Sequence, residues 1–239
     1  MNLLGKLTIL GAVLSASATL AYATPIQLGS YATGNSSQGN ANSALSLSGV
    51  DLTSGWPSGS PSFTTPGSSA TYSLNPTTVW ASALSDSTWV GAAATAGPGG
   101  SVNPAYGYYE FTSTFAATAG TYDGTLNVMA DDTVEVLLNG NLLLPFGALG
   151  SDGHCAQYAP GCLSSTESSL LLSDVTLGAS NTLEFIVEQA GNVGGAAGSD
   201  PSGVDFNASL TATPEPGSIV LLGTGLLGAV AAARRRFAA

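Results

Sequence analysis

The sequence predicts an all-β sandwich flanked by two targeting segments. Three observations carry that reading. Short runs rich in β-branched and aromatic residues alternate with period two, Gly, Pro, Asn, Asp and Ser punctuate them at regular intervals, and no amphipathic helical stretch interrupts them. Setting the two ends of the 239-residue chain aside leaves about 190 residues, enough for one domain with a sizeable core.

Residues 1–23 read as a secretory signal peptide. Lys6 supplies a short basic region, residues 7–14 an apolar stretch, and Ala21-Tyr22-Ala23 the A-x-A cleavage pattern, so Thr24 is the expected mature start. Residues 24–210 form the sandwich. Within them, 33–42 (TGNSSQGNAN) and 54–65 (SGWPSGSPSFTT) are polar loops dense in Gly or Pro, and 72–74 is an early strand. Residues 106–115 (YGYYEFTSTF) alternate, with Tyr109, Phe111 and Phe115 on one side and Tyr108, Glu110, Thr112 and Thr114 on the other. The pattern continues through Leu126 and Val128 of 121–130, and through Val134, Val136 and Leu138. Asn139-Gly140 then predicts a type I′ hairpin turn into 141–144. Late strands follow at 170–176, 182–188 and 204–210, the last two separated by a Gly-rich loop.

Residues 211–239 make a tripartite tail: Pro214-Glu215-Pro216, an apolar run, and Arg234-Arg235-Arg236. The uncharged stretch 218–233 would make a helix of about 24 Å, short of a hydrocarbon core of about 30 Å, so a transmembrane helix here needs flanking residues or local thinning. Arginines directly after it would stay on the cytoplasmic side.

Charge is sharply divided. All four basic residues lie in the end segments, as Lys6 and Arg234–Arg236, whereas fourteen of the fifteen acids lie in residues 24–213. Such a body repels phosphate backbones, which excludes nucleic acid as a partner. Its carboxylates must be held by hydroxyls, backbone N–H groups or a cation, and calcium suits an all-oxygen ligand set. Asp131 and Asp132 are the metal candidates; the alternative is a solvated turn before the strand that follows them.

Cys155 and Cys162 are the only cysteines and stand in GHCAQYAPGC. In an oxidising compartment a local disulfide is the default, contributing about 2–3 kcal/mol on the chain-entropy model. A zinc site through His154 and both thiolates is the alternative, but it lacks a clear fourth ligand. Trp80 and Trp89 are expected in the core. Trp56, in a Pro/Gly loop, and Tyr108 are the candidates for stacking on a ligand. No catalytic residue emerges: the single histidine has no G-x-S-x-G elbow, and adjacent aspartates on extended backbone point apart, so glycosidase geometry is not implied.

The tail, in its order of Pro-Glu-Pro, apolar run and arginine cluster, resembles the PEP-CTERM tail of exported bacterial proteins. That resemblance implies recognition and cleavage near Pro214–Pro216 by an exosortase-type membrane protease, with transient inner-membrane anchoring beforehand. The segments NPTTVWASALSDSTWVG (75–91), MADDTVEVLLNG (129–140) and NTLEFIVEQAG (181–191) resemble exported proteins of that tail class whose body is a jelly-roll, galactose-binding-like sandwich. This implies the fold and a habit of glycan contact, without naming a ligand. The chain departs from lectin-like members in having no basic residue to grip acidic sugars. Together these readings describe an exported, non-enzymatic sandwich of the cell envelope or extracellular polysaccharide matrix, adhesive or structural in role. A matrix protein without a specific ligand, and a polysaccharide hydrolase, are the alternatives.

Overall fold

The computed structural model describes residues 24–31, 37–53, 59–147, 167–190, 195–213 and 216–238. The signal-peptide residues with Ala21 and Ala23, the loop residue Trp56, His154, the Cys155–Cys162 pair, and Pro214 and Glu215 lie outside them. The chain divides into a sandwich unit, Pro25–Thr211, and a unit that takes in the C-terminal stretch Ala212–Ala239.

Twelve strands are described in the sandwich: β1 Ile26–Gly29, β2 Ala41–Asn42, β3 Ser46–Leu52, β4 Thr71–Ser73, β5 Val90–Gly91, β6 Gly107–Ala116, β7 Gly120–Asp131, β8 Thr133–Leu138, β9 Asn141–Leu144, β10 Ser168–Leu177, β11 Ser180–Gln189 and β12 Gly203–Ala212. They form two sheets. One runs β10-β7-β12-β5-β4-β2, with β1 also pairing β12; the other runs β3-β6-β11-β8-β9.

Eight of these strands form four nested antiparallel pairs: β1 with β12, β6 with β11, β7 with β10, and β8 with β9. Pairing first with last, second with second-last, and so inward is the jelly-roll arrangement, and it places alternate pairs on opposite sheets. The remaining strands extend the edges. The all-β jelly-roll sandwich expected from the sequence is therefore the observed fold.

Alternation explains which faces meet. Phe111, Phe185 and Val136 lie side by side across the five-stranded sheet. Leu126, Val128, Phe206, Ala208 and Leu210 are buried on the seven-stranded sheet. The Phe185 and Phe206 rings, from opposite sheets, stand 4.4 Å apart between centroids. Each such fully buried ring contributes about 1.5–3 kcal/mol of apolar transfer free energy. Trp80 and Trp89 stack at 4.3 Å within a cluster that includes Leu74, Ala96 and Met129, in line with the core role expected of them. At the β8–β9 turn Asn139 and Gly140 both have positive φ, 52° and 73°, as a type I′ turn requires.

In the second unit, helix α1 spans Pro216–Ala238, with Pro216 at its first position, where the missing N–H is harmless. The transmembrane helix expected here is not met among the described residues. Among the described residues no helix is long and apolar enough to cross a membrane. The helix continues through Arg234–Arg236 instead of ending before them, and Gly223, Thr224, Gly225 and Gly228 dilute the apolar run.

Candidate functional site

The outward face of the seven-stranded sheet carries a cleft of about 670 Å³. Three strands build its floor, because outward positions alternate with the core positions named above. Gln27 of β1, Thr125 and Asn127 of β7, and Asn207 and Ser209 of β12 point to this side. The half-exposed ring of Tyr31, 50% accessible, stands at the cleft just beyond β1. Ser85 and Asp86 form part of the wall.

The floor is organised by its own hydrogen bonds. Asn127 Nδ2 donates to Asn207 Oδ1 at 2.9 Å, and Asn207 Nδ2 donates to the Ser85 carbonyl at 2.9 Å. Gln27 Nε2 donates to Ser209 Oγ at 2.8 Å. Each amide carries two donor hydrogens and an acceptor oxygen. The Gln27 and Asn127 carbonyl oxygens and one N–H on each of these two amides are thus oriented, and no other described residue takes them up.

The wall is held from beneath. Asp205 is fully buried; one carboxylate oxygen accepts from Ser30 Oγ at 2.8 Å and the other from the Leu84 N–H at 2.7 Å. Ser30 Oγ also accepts from the Thr88 and Phe206 N–H groups, and Asn42 Nδ2 donates to the Ser30 carbonyl. Burial pushes the Asp205 carboxyl up from its ordinary pKa, against the pull of hydrogen bonds from Ser87, Leu84 and Ser30. Close approach makes Gly29 necessary: a Cβ there would stand 2.7 Å from the Asp86 carbonyl oxygen.

The sequence candidates fall elsewhere. Tyr108 is only 4% accessible, its hydroxyl donates to the Gly59 carbonyl at 2.9 Å, and its ring meets Phe146 at 5.6 Å. It offers no open face for stacking. Asp131 and Asp132, 7% and 3% accessible, are not a solvated turn. The reason is topological: β7 and β8 belong to different sheets, so the chain changes sheet here and the rule for a continuous strand does not apply. Trp80 Nε1 donates to Asp131 Oδ2 at 2.7 Å, and the Ala190 N–H donates to Asp132 Oδ2 at 2.7 Å. Burial, then the Asp132 charge, hold the Asp131 carboxyl well above its ordinary pKa; the Trp80 N–H opposes this, while a hydrogen bond with Asp132 and the charge of Asp200 add to it. Both carboxylates thus accept N–H groups, and among the described residues no three His, Cys, Asp or Glu side chains are grouped to hold a metal ion.

A second groove of about 370 Å³ is lined largely by apolar groups, among them Leu47, Val50, Val102 and Tyr109. Its one amide, Asn103, is engaged by the Ala196 carbonyl at 3.0 Å. The polar cleft is not evident in the sequence because its floor residues lie at positions 27, 125, 127, 207 and 209.

Residues 212–236 match the family model of the PEP-CTERM protein-sorting motif. The chain therefore carries the sorting motif of exported proteins. No curated protein matches the sequence. Among solved structures, the chain is similar to the Podospora anserina GH26-CBM35 β-(1,4)-mannanase at 13% identity and a TM-score of 0.35, covering 80% of this chain and 28% of that one. A family 35 carbohydrate-binding module from Clostridium thermocellum is similar at 14% identity and a TM-score of 0.28, covering 78% of this chain and 98% of the module. A β-glucosidase from Kluyveromyces marxianus gives 14% identity and a TM-score of 0.31, with 74% and 16% covered. The chain thus spans less than a third of the two enzymes. The fold class rests on the strand pairing described above.

Proposed function

We propose that this is an exported, non-enzymatic adhesion protein of the cell envelope or extracellular matrix that holds glycan in the cleft over β1, β12 and β7. One observation carries the reading: amides and hydroxyls from three strands converge on one open cleft, next to a half-exposed tyrosine ring. Planar amides match the paired donors and acceptors of sugar hydroxyls, and an aromatic ring matches the apolar face of a pyranose. The hydrolase alternative gains no support from the adjacent carboxyls Asp131 and Asp132, which are buried, Asp131 against the Trp80 indole.

Export begins with removal of the signal after Ala23. The tail then holds the protein transiently at the inner membrane until an exosortase-type membrane protease cuts near Pro214–Pro216. Intact mass of the protein recovered from the producing cells tests this: the expected species begins at Thr24 and ends near Pro216, and one retaining Arg234–Arg236 would make the tail an uncut anchor.

The adhesion reading is tested by adsorption of the full chain to a panel of polysaccharides that includes the producer's own exopolysaccharide. Saturable retention on at least one class is expected, and Tyr31→Ala should weaken it. Uniform absence of retention would leave a matrix protein without a specific ligand.

A further inference from the structure

The cleft's chemistry also restricts which glycans it can take, an inference that rests on the adhesion reading above. Its floor holds only neutral groups: two asparagines, a glutamine, a threonine and a serine. The one ionisable side chain in the lining apart from Tyr31 is the carboxylate of Asp86, on the wall. No lysine or arginine occurs anywhere between residues 24 and 213, which hold fourteen acids.

A carboxylated, sulfated or phosphorylated sugar entering this cleft would lose part of its hydration and find no cation in return. It would also meet the field of Asp86 and of the acidic body, which low ionic strength leaves unscreened. A neutral sugar meets neither penalty. Its hydroxyls can pair with the oriented amides of Gln27 and Asn127, whose remaining N–H and carbonyl groups face the cleft. We infer that the cleft over β1, β12 and β7 selects uncharged glycans and rejects anionic ones.

Matched polymers test this whichever sugar the cleft takes. The full chain is titrated with polygalacturonate and with alginate, and with the carboxyl-reduced form of each, at low and at physiological salt. For at least one pair the neutral form should bind about tenfold or more tightly at low salt, with the gap narrowing as salt rises. Asp86→Asn, which keeps a residue tolerant of the observed φ of 56°, should narrow the gap at low salt. Equal binding of charged and reduced forms, or preference for the charged ones, would overturn the selectivity while leaving the adhesion reading intact. Unchanged binding of the neutral form by Asn127→Ala would instead place the ligand outside this cleft. Failure of both reduced polymers to bind, while any anionic polymer binds, would overturn the inference outright.

Discussion

The indole N–H of Trp80 donates to a carboxylate oxygen of Asp131 at 2.7 Å, joining residues 51 positions apart. It ties the loop that follows β4 to the point where the chain passes from one sheet to the other. Trp80→Phe keeps most of the ring's packing against Trp89 but leaves that buried oxygen without its donor. Loss of one such bond, with the acceptor left buried, costs about 1–3 kcal/mol. For a domain of this size that lowers Tm by about 2–4 °C per kcal/mol, measured by thermal unfolding. An unchanged Tm would show that the bond contributes nothing to stability.

The same carboxyl sets a pH dependence. Asp131 and Asp205 both titrate above their ordinary values in the folded chain, chiefly through burial. A carboxyl raised on folding contributes stability that is complete below its unfolded pKa, about 3.9, and is lost as pH rises through the folded value. Acidification from neutral pH towards about pH 4 should therefore raise the melting temperature, and lower self-repulsion among the acids works in the same direction. Asp131→Asn keeps an acceptor for the indole and gains a donor towards Asp132. It should melt higher than wild type at neutral pH and show a flatter profile. A variant that melts lower with an unchanged slope would contradict this account of the pair.

Asp205 positions the cleft wall without touching the cleft. Asp205→Ala removes the best acceptor of the buried Ser30 hydroxyl and leaves the part-buried Leu84 N–H without its partner, at a cost of about 1–3 kcal/mol. Beyond that loss, the loop bearing Ser85 and Asp86 should loosen, so hydrogen exchange at residues 84–88 should rise more than in the β6–β11 core. Uniform change across the sandwich would mean that Asp205 acts only on global stability.

Gln189 is fully buried at the end of β11, and among the described residues neither of its side-chain polar atoms has a hydrogen-bond partner. Gln189→Met, close in volume, should stabilise the fold by about 1–3 kcal/mol through removal of an unsatisfied amide. Destabilisation on denaturant unfolding would reveal a polar role for this amide.

Much of the fold is legible in the residues. Alternation over part of β6, β11 and β12 marks which side chains face inward, although consecutive residues are buried at one end of each, and Asn139-Gly140 fixes the β8–β9 turn. Four strands escape such reading, among them β2 and β5 with two residues each. β1 has only four residues, and in β3 the register against β6 shifts between Leu47 and Gly49. The cleft is harder to foresee for a physical reason: outward polar residues on a strand look alike whether they face bulk water or a shared concavity. Only the closure that brings β1 and β7 to either side of β12 makes Gln27, Asn127 and Asn207 neighbours. Asp131 and Asp132 mislead in the opposite way, since a hydrophilic pair before a strand reads as a turn until the change of sheet buries it.

The central claim is that the cleft over β1, β12 and β7 holds glycan, and calorimetric titration of wild type and Asn207→Ala with a retained polysaccharide tests it most directly. Asn207 links Asn127 to the Ser85 wall, so its loss should weaken binding by roughly three- to tenfold, with a melting temperature close to wild type. Identical isotherms for the two proteins would contradict the account and move the site away from this face.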